Sequence, residues 1–323
     1  MTLPISIIFL LLFFLLEMLY FKIADKYNII DKPNARSSHN IITIRGGGII
    51  FTLGMLLYFV SFGFGYPYFM LGLLIISAIS FADDIKPVSN KLRITCHFFA
   101  VLLLFYQIGV FEQHIYIVIL AFIVAIGIIN AINFMDGING LTGIYSFIAL
   151  LTLWYLNNYV QIGFADNNLI ILAILAVVVF NFFNLRFKAK CFAGDVGSVG
   201  IAFIIVFLIG TLIIKSGNLI YLFLLLIYGL DSITTIIFRL IRRENIFDAH
   251  RTHFYQFLAN EKKISHPVVA IIYALAQAVA NAIIIISNPN LSVGLLFWII
   301  LVGLSFIALR FWLEGKKHLL GTK

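Results

Sequence analysis

Long apolar runs alternate with short polar connections from the first residues of the chain to the last. Eleven of these runs are long enough to cross the hydrocarbon core of a membrane, which takes about 20 residues of α-helix. They lie at about 3–21, 43–62, 67–82, 94–110, 114–132, 139–157, 168–185, 197–214, 217–238, 266–287 and 292–311. We therefore predict an all-α, polytopic membrane protein of about eleven transmembrane helices, forming a single domain over residues 1–323. The short third run could instead be tilted or lie partly in the interface.

The basic residues lie almost entirely in alternate connections. Of the 22 Lys and Arg residues, Lys215 is the single exception. Since Lys and Arg concentrate in cytoplasmic loops, we predict that the N-terminus lies outside and the C-terminus in the cytoplasm. Composition agrees, because 62% of the residues are hydrophobic and only 11% are charged, which excludes an ordinary soluble domain. The net charge of +8 then reflects loops beside anionic lipid, and no nucleic-acid partner is expected.

Polar and ionisable residues at the ends of spans are informative, because their burial near lipid is costly and must be compensated. Five such clusters occur, all at the predicted cytoplasmic ends. The first has the sequence DKPNARSSH at 31–39, followed by RGGG at 45–48. Its glycines would let the backbone approach a phosphate, while Lys32, Arg36 and Arg45 supply positive charge. A solvated loop before a glycine-rich helix start is the alternative.

The second cluster is the pair Asp83 and Asp84 at the end of a predicted span. The carboxyl end of a helix disfavours anions, so a cation must offset the pair. A divalent metal or the nearby Lys86, Lys91 and Arg93 would do so. The pair would also serve as a base if one carboxyl were partly protonated, whereas simple solvated end charges are the alternative.

The third and fourth clusters combine carboxylates, amides and glycines. The segment NAINFMDGINGL at 130–141 places Asn130 and Asn133 one helical turn apart on one face, followed by an Asp-Gly and an Asn-Gly turn. Four converging polar side chains exceed what a structural turn needs, so we interpret this segment as functional. The segment GDVGS at 194–198 precedes an apolar run, so its backbone N–H groups would bind an anion while Asp195 holds a cation shared with that anion.

The fifth cluster, HRTHFYQ at 250–256, lies in the longest polar connection, 239–265. His250 and His253 would provide only two metal ligands, and no second ligand pair lies nearby, so a zinc site is not indicated. Binding of a phosphate or a sugar by histidine and arginine fits this cluster better.

Taken in order, the motifs DxPNxRxxH…GGG, DD…R, NxxNxxDGxNGL, GDxGS and HRxHxYQ resemble those of the polyprenyl-phosphate N-acetylhexosaminyl-1-phosphate transferases, or glycosyl transferase family 4. The resemblance spans roughly residues 31 to 256. It implies that a membrane lipid phosphate attacks the β-phosphorus of a UDP-sugar, which yields a lipid-diphosphate sugar and releases UMP. The implied partners are a UDP-N-acetylamino sugar and a polyprenyl phosphate such as undecaprenyl phosphate, and a homodimer remains open.

The resemblance also implies roles for individual residues. Asp195 and Asn133 match the ligands of a magnesium cofactor, for which Mn²⁺ is an alternative ion. Asp83 and Asp84 match a pair described either as a base for the lipid phosphate or as organisers of magnesium and a basic residue. Together with Asp195 they form the expected catalytic set.

A second group of residues matches the positions that bind the substrates. Its members are Lys32, Asn34, Arg36, Arg45, Arg93, Asn130, Asp136, Gly137, Asn139, His250, Arg251 and His253. Asn139 and the Asp136-Gly137 turn match the uridine-binding loop, and Arg93 lies where relatives carry a basic residue for the lipid phosphate. His250, Arg251 and His253 fall in the loop that contacts the sugar diphosphate.

The fifth motif bears on the choice of sugar. It departs from the multi-histidine loop of peptidoglycan translocases and looks closer to the bacterial branch that starts surface polysaccharides such as O-antigen, including members that use 6-deoxy amino sugars. Since uridine is common to all these donors, we expect 244–256 to select the sugar. The resemblance places the protein in the bacterial cytoplasmic membrane with its site on the cytoplasmic face.

The alternative from another functional class is a transporter or flippase of polyprenyl-linked intermediates. A transport pathway should show acidic residues at several depths of the membrane. Here, apart from Glu17 and Asp231, the acidic residues of the spans cluster at one face.

Overall fold

A computed structural model describes residues 1–33, 38, 41–160, 163–246, 250–287 and 293–321. Asn34 and Arg36, two of the predicted binding residues, lie outside the described residues. Within the described ranges the chain is almost entirely helical, with one two-stranded sheet. The helices and strands are α1 (Leu3–Lys26), β1 (Ile30–Asp31), β2 (Thr43–Ile44), α2 (Ile49–Ser61), α3 (Pro67–Ile85), α4 (Asn90–Ile108), α5 (Ile115–Phe134), α6 (Leu141–Tyr155), α7 (Asn167–Asn184), α8 (Gly194–Ser216), α9 (Leu226–Ile241), α10 (Phe254–Asn260), α11 (His266–Ile286), α12 (Val293–Glu314) and α13 (Lys316–Leu320). Short segments of other helix types occur at Val110–Glu112, Leu156–Val160 and Leu219–Leu225, and the last of these continues directly into α9.

Each of the eleven apolar runs coincides with a helix, which confirms the all-α, polytopic membrane fold. Among the described residues, nine helices are long and apolar enough to cross a membrane, when α9 is counted together with the preceding turns as Leu219–Ile241. The other two are shorter, since α2 has 13 residues and α6 has 15. At 1.5 Å per residue, α2 reaches only about 20 Å, less than the hydrocarbon core of a bilayer. The count of eleven spans and the orientation stay predictions.

Local sequence signals set several helix ends. The helix α3 begins at Pro67, a residue suited to the first turn because it lacks an N–H, and it ends shortly before Pro87. Ser89 caps α4 by accepting the N–H of Leu92. The helix α8 ends at Ser216, and the φ of 69° at the following Gly217 belongs to the left-handed region that glycine adopts readily.

The helix α8 is the centre of the bundle. Nearly every residue from Gly194 to Leu212 is buried, and α8 contacts α2, α3, α4, α5 and α6. By contrast, α1 and α12 expose most of their side chains, as expected for helices that face lipid. The N-terminus of α8 meets the C-terminal ends of α3 and α5, where the polar clusters lie.

The small sheet attaches the first polar cluster to the start of α8. β1 pairs antiparallel with β2, and Ile44 in β2 also forms a bridge to Cys191. Beyond it, Gly48 and Gly197 approach so closely that a Cβ on either residue would collide with the backbone of the other. Only glycine permits this contact, which holds the RGGG segment against the GDVGS segment.

Candidate active site

Asp84 caps the N-terminus of α8. Its carboxylate accepts the N–H of Asp195 at 2.8 Å and that of Val196 at 2.9 Å. Arg45 Nε lies 2.6 Å from Asp84 Oδ1, and the Asp84 side chain is 0% exposed. Unpaired N–H groups at a helix start carry partial positive charge, so they and Arg45 together stabilise the buried anion. Asp84 is therefore offset by Arg45 and this helix start, a partner outside the group of Lys86, Lys91 and Arg93 that we expected beside the acidic pair.

Asp83 has a separate partner. Its Oδ2 lies 3.0 Å from Arg93 Nη1, and its Oδ1 accepts the N–H of Val88 at 2.6 Å. The side chains of Asp83 and Arg93 are 12% and 29% exposed, so this pair reaches the surface. Of Lys86, Lys91 and Arg93, which we expected to offset the charge of the acidic pair, Arg93 forms the ion pair with Asp83. Lys86 and Lys91 are exposed to solvent.

Asp195 lies between the two ion pairs. Its Oδ1 is 3.5 Å from Arg45 Nη2, and its Oδ2 is 3.9 Å from Arg93 Nη1. Burial acts to lower the pKa of Arg45, but the carboxylates of Asp84 and Asp195 outweigh it and raise this pKa above its ordinary value. Three carboxylates thus face two guanidinium groups, and the excess negative charge favours a bound cation at Asp195.

A cavity of about 270 Å³ opens beside these charges. Its described lining residues are Asp31, Ser38, Arg45, Asn133, Asp136, Gly137, Ile138, Asn139, Asn184, Phe192, Gly194, Asp195, Gln256 and His266. Four of the five polar clusters contribute residues to this lining. In the second cluster, Asp84 is bonded to the backbone N–H of Asp195 and to the side chain of Arg45. Clusters that are far apart in the sequence therefore lie together around one cavity.

Asn133 and Asp195 form a donor pair that suits magnesium. Asn133 Oδ1 accepts the hydroxyl of Ser198 at 2.7 Å, and both Asn133 and Asp195 line the cavity. No cluster of three His, Cys, Asp or Glu side chains suited to a metal occurs within the described ranges. Mg²⁺ does not need one, since it commonly takes one or two protein oxygens and completes its shell with water and substrate phosphates. Asn130, one turn before Asn133, is half-buried and is not part of the described lining.

Asn139 presents an unpaired oxygen at the cavity. Its Nδ2 donates to the carbonyls of Arg186 at 3.1 Å and Phe187 at 3.4 Å, which orients the amide. Its Oδ1 is buried and has no partner in the part of the chain that the structure describes. An unpaired buried acceptor costs about 1–3 kcal/mol, so a ligand that donates a hydrogen bond to this atom gains affinity.

The Asp136-Gly137 turn packs against α10. A Cβ at Gly137 would collide with the hydroxyl of Tyr255, which donates to the carbonyl of Phe134 at 3.0 Å. Burial raises the pKa of Asp136 to about 7. This carboxyl therefore changes its charge near neutral pH while lining the cavity.

His253 is held inside the protein by Asp231. His253 Nδ1 lies 3.3 Å from Asp231 Oδ1, and His253 is 3% exposed. Asp231 also accepts the N–H groups of Phe254 at 2.9 Å and Tyr255 at 3.1 Å, and the hydroxyl of Tyr273 at 2.6 Å. Asp231 thus anchors the start of α10.

Most of the fifth cluster, and Lys32, are not part of the described lining of the cavity. Gln256 is the member of this cluster that lines it, whereas His250, Arg251 and His253 are absent from its described lining. His250 Nδ1 lies 3.1 Å from Thr252 Oγ1, and burial lowers the pKa of His250 to about 4, so its ring is neutral at pH 7. Lys32 is exposed, next to the lining residue Asp31. Sugar contacts by these histidines stay a prediction.

Sequence reasoning missed three lining residues, namely Asn184, Phe192 and His266. Asn184 ties two clusters together, since its Oδ1 accepts the N–H of Gly140 at 2.7 Å and its Nδ2 donates to the carbonyl of Cys191 at 2.7 Å. An asparagine at the end of an apolar run was a usable signal for it. His266 gave no such signal, because it follows a polar loop and belongs to no motif.

The comparison with protein families agrees with this geometry. Residues 66–214 match the model of glycosyl transferase family 4, a stretch that runs from α3 through α8. It contains the acidic pair, Arg93, Asn133, the Asp136-Gly137 turn and Asp195. No curated protein matches the chain. The match over residues 66–214 supports the assignment of the chain to glycosyl transferase family 4 and a transferase of the phospho-sugar kind, and its apolar helices indicate a multi-pass membrane protein.

Proposed function

We propose that the protein transfers an N-acetylated amino-sugar 1-phosphate from a UDP-sugar to polyprenyl phosphate and releases UMP. The observation that carries this proposal is the position of Asp195, between Arg45 and Arg93, on a cavity that also contains Asn133 and Asn139. Phosphoryl transfer depends mainly on positioning and on neutralising charge, and this set of residues supports both.

In the proposed reaction an oxygen of the lipid phosphate forms a bond to the β-phosphorus of the donor. The bond from that phosphorus to the bridging oxygen breaks, and the oxygen leaves on UMP. Asp195 and Asn133 hold Mg²⁺, or Mn²⁺ as an alternative, which neutralises diphosphate charge when bound. Arg93 binds the lipid phosphate, since a guanidinium can donate two parallel hydrogen bonds to phosphate oxygens.

Two roles were left open for the acidic pair, a base for the lipid phosphate or an organiser of magnesium and a basic residue. The surroundings of Asp84 favour the second role. Both of its oxygens are engaged, by Arg45 and by the first N–H groups of α8, and the side chain is fully buried. A phosphate nucleophile is already anionic at pH 7 and needs no base to remove a proton. Asp84 is therefore a positioning residue that fixes Arg45 and Asp195.

A second cavity of about 260 Å³ adjoins the first and supports a nucleotide ligand. Its described lining residues are Ser38, Ile41, Thr43, Asn139, Phe187, Lys188, Ala189, Phe192 and His266. Aromatic and apolar walls beside a few polar groups are typical of nucleobase pockets. The uracil N3–H donates to Asn139 Oδ1, the acceptor that has no protein partner among the described residues.

We further propose the bacterial cytoplasmic membrane as the setting and a surface polysaccharide, such as O-antigen, as the product that the lipid-linked sugar starts. The 244–256 segment selects the sugar, with Gln256 as its described contact with the cavity. This cavity is polar on several sides, so hydrogen bonds to the sugar hydroxyls can discriminate strongly between donors.

A donor panel tests the proposal. Membranes that contain the protein are given undecaprenyl phosphate, Mg²⁺ and, in turn, UDP-N-acetylglucosamine, UDP-N-acetylquinovosamine and UDP-N-acetylfucosamine, and UMP is measured. We expect release of UMP with at least one donor, only when the lipid phosphate is present, and release lower by about a hundredfold or more from matched membranes carrying Asp195→Asn. Absence of UMP with every donor, or release that does not depend on the lipid phosphate, would contradict the proposed function.

A further inference from the structure

A buried arginine near the end of α12 connects the C-terminal part of the chain to the loop that precedes α10. The Arg310 side chain is 1% exposed, and its Nε lies 2.5 Å from Glu314 Oε1, about one helical turn further on. Its Nη1 donates to the hydroxyls of Thr234 and Thr235 in α9, both at 2.9 Å. Its Nη2 donates to the carbonyl of Thr252 at 3.2 Å. One guanidinium group thus joins α12, α9 and this loop.

The surroundings of Arg310 do more than neutralise a buried charge. Glu314 supplies the counter-charge, and its side chain is 0% exposed. The guanidinium carbon also lies 5.8 Å from the centre of the ring of Phe254, the first residue of α10, and 5.2 Å from that of Phe238. A guanidinium group is planar and rigid, so hydrogen bonds in several directions fix the accepting groups relative to one another. Arg310 therefore holds α9, α10 and the loop between them in one arrangement.

Thr235 extends this arrangement to the edge of the first cavity. Its hydroxyl donates to Asp231 Oδ1 at 3.2 Å, and the same oxygen lies 3.3 Å from His253 Nδ1. The backbone N–H of His253 donates to Gln256 Oε1 at 3.3 Å, and Gln256 lines the cavity. A continuous series of hydrogen bonds therefore runs from Arg310 to the cavity, although Arg310 itself is absent from the described lining of both cavities.

We propose that Arg310 is a positioning residue for donor recognition, which holds the segment 244–256 so that Gln256 faces the sugar end of the bound UDP-sugar. It acts through Thr252 and Asp231 and touches neither substrate. This inference rests on the proposed function, because it takes 244–256 as the segment that selects the sugar. Arg310 belongs to none of the five motifs and lies outside the stretch that matches the family, so the resemblance gives it no role.

Two valine substitutions in α9 separate this role from a general effect on stability. Thr235 and Thr234 are both buried, and each accepts a hydrogen bond from Arg310 at 2.9 Å. Thr235 donates to the carboxylate of Asp231, whereas Thr234 donates to backbone carbonyls of its own helix. Valine has nearly the shape of threonine, so Thr235→Val chiefly removes the connection to Asp231. Thr234→Val is the matched control, since it loses an equal bond from Arg310.

The first measurement is the kinetics of UMP release by the purified full-length protein, with undecaprenyl phosphate, Mg²⁺ and the donor of the panel that the native protein accepts best. For Thr235→Val we expect KM for the donor to rise roughly five- to tenfold, as for one hydrogen bond lost. Both kcat and the inhibition constant of UDP, which lacks the sugar, should stay within about twofold of the native values. Thr234→Val should stay within about twofold in all three quantities.

Substitution of Arg310 itself gives a second comparison. Arg310→Gln should raise KM for the donor at least as much as Thr235→Val does, because it removes the bonds to α9 and to the loop together. Arg310→Lys keeps a charged donor beside Glu314 and should recover part of the loss.

Hydrogen exchange of the peptide that contains the first turn of α10 needs no activity. The carboxylate of Asp231 accepts the N–H groups of Phe254 and Tyr255. We expect Thr235→Val to speed the exchange of this peptide severalfold, whereas Thr234→Val should leave it within about twofold of the native rate.

Failure of the proposed function and failure of this inference give different results. If the native protein releases no UMP with any donor, the proposed function fails, and the inference about donor recognition fails with it. If the native protein releases UMP, an unchanged KM in Thr235→Val, or an equal change in Thr234→Val, overturns the inference alone. A fall in kcat with unchanged KM would show only a smaller folded fraction and would also overturn it, as would unchanged exchange at the start of α10.

Discussion

Replacing Asp84 with asparagine, with Asp83→Asn as the matched control, tests whether the two carboxylates have different roles. An asparagine at 84 keeps the shape of the side chain but has one acceptor oxygen in place of two. The native carboxylate accepts two N–H groups at 2.8 and 2.9 Å and lies 2.6 Å from Arg45 Nε. The substitution therefore leaves one N–H of α8 facing a donor and removes the counter-charge of Arg45.

The contacts set the size of the expected effect. Loss of a helix cap costs about 1 kcal/mol, and breaking a fully buried ion pair costs about 3–5 kcal/mol. The Arg45 side chain is 32% exposed, so the second figure must be reduced for screening by solvent. Together these effects should lower the free energy of unfolding by about 2–4 kcal/mol. The more exposed pair of Asp83 and Arg93 contributes about 0.5–1 kcal/mol, so Asp83→Asn should cost little.

Thermal unfolding in detergent and the rate of UMP release distinguish the two variants. We expect both to lose most activity with little change in affinity for the UDP-sugar, because neither carboxylate is assigned to the nucleotide. Only Asp84→Asn should melt several degrees below the native protein. An Asp84→Asn variant that melts like the native protein would refute the capping role, and an equally unstable Asp83→Asn variant would refute the distinction between the two residues.

Three further predictions follow from the charges of the site and of the loops. Asp195→Asn should reduce transfer by about a hundredfold or more, because one lost electrostatic contact of this kind commonly has that effect, and full activity of the native enzyme in excess chelator would contradict the metal assignment. The pKa of Asp136 is about 7 in the folded protein, against an ordinary value of 3.8. Between these two pH values the folded state binds more protons at this carboxyl than the unfolded state does. The folded state therefore loses stability as the pH rises through this range. The melting point of Asp136→Asn should therefore rise relative to that of the native protein between about pH 4 and pH 8, and a constant difference would contradict this pKa. An impermeant thiol reagent on intact cells should label Glu112→Cys but not Lys262→Cys, both at exposed positions, and the reverse pattern would refute the predicted orientation.

The positions of the helices could be predicted because a span needs an apolar run of a certain length, and that length is visible in the sequence. Lengths of individual helices were less predictable. The run 43–62 contains the glycines of the first cluster, whose contact with Gly197 delays the start of α2 to Ile49. Its first residues form β2 and the loop that carries Arg45, a consequence of pairing with β1 that the apolar pattern does not contain.

The partners of Arg310 were predictable only in part. It lies near the end of α12, is 1% exposed, and pairs with Glu314 at 2.5 Å. It also donates to Thr234 and Thr235 of α9 at 2.9 Å. The spacing of four residues between Arg310 and Glu314 was a signal of a helical ion pair. The threonine contacts could not be predicted, because they join segments about 75 residues apart.

The candidate site, like the fold, could be predicted from the sequence only in part. Motif order and chemistry predicted that Asp195, Asn133 and Asn139 act together, and all three line one cavity. Nothing in the acidic pair indicated that Asp84 caps α8 while Asp83 reaches the surface, since the difference arises from packing between α3 and α8. His266 was equally hidden, because its place in the lining depends on where α11 begins relative to Asn139.

The fate of the donor's β-phosphate tests the central claim most directly. A UDP-amino sugar accepted by the enzyme is labelled with radioactive phosphorus in the β position and incubated with undecaprenyl phosphate, Mg²⁺ and the purified protein. Transfer of a sugar 1-phosphate predicts that the label moves into the lipid fraction while unlabelled UMP is released in equal amount. Label that remains in water-soluble UDP while the sugar alone enters the lipid, or that appears as free phosphate, would contradict the account.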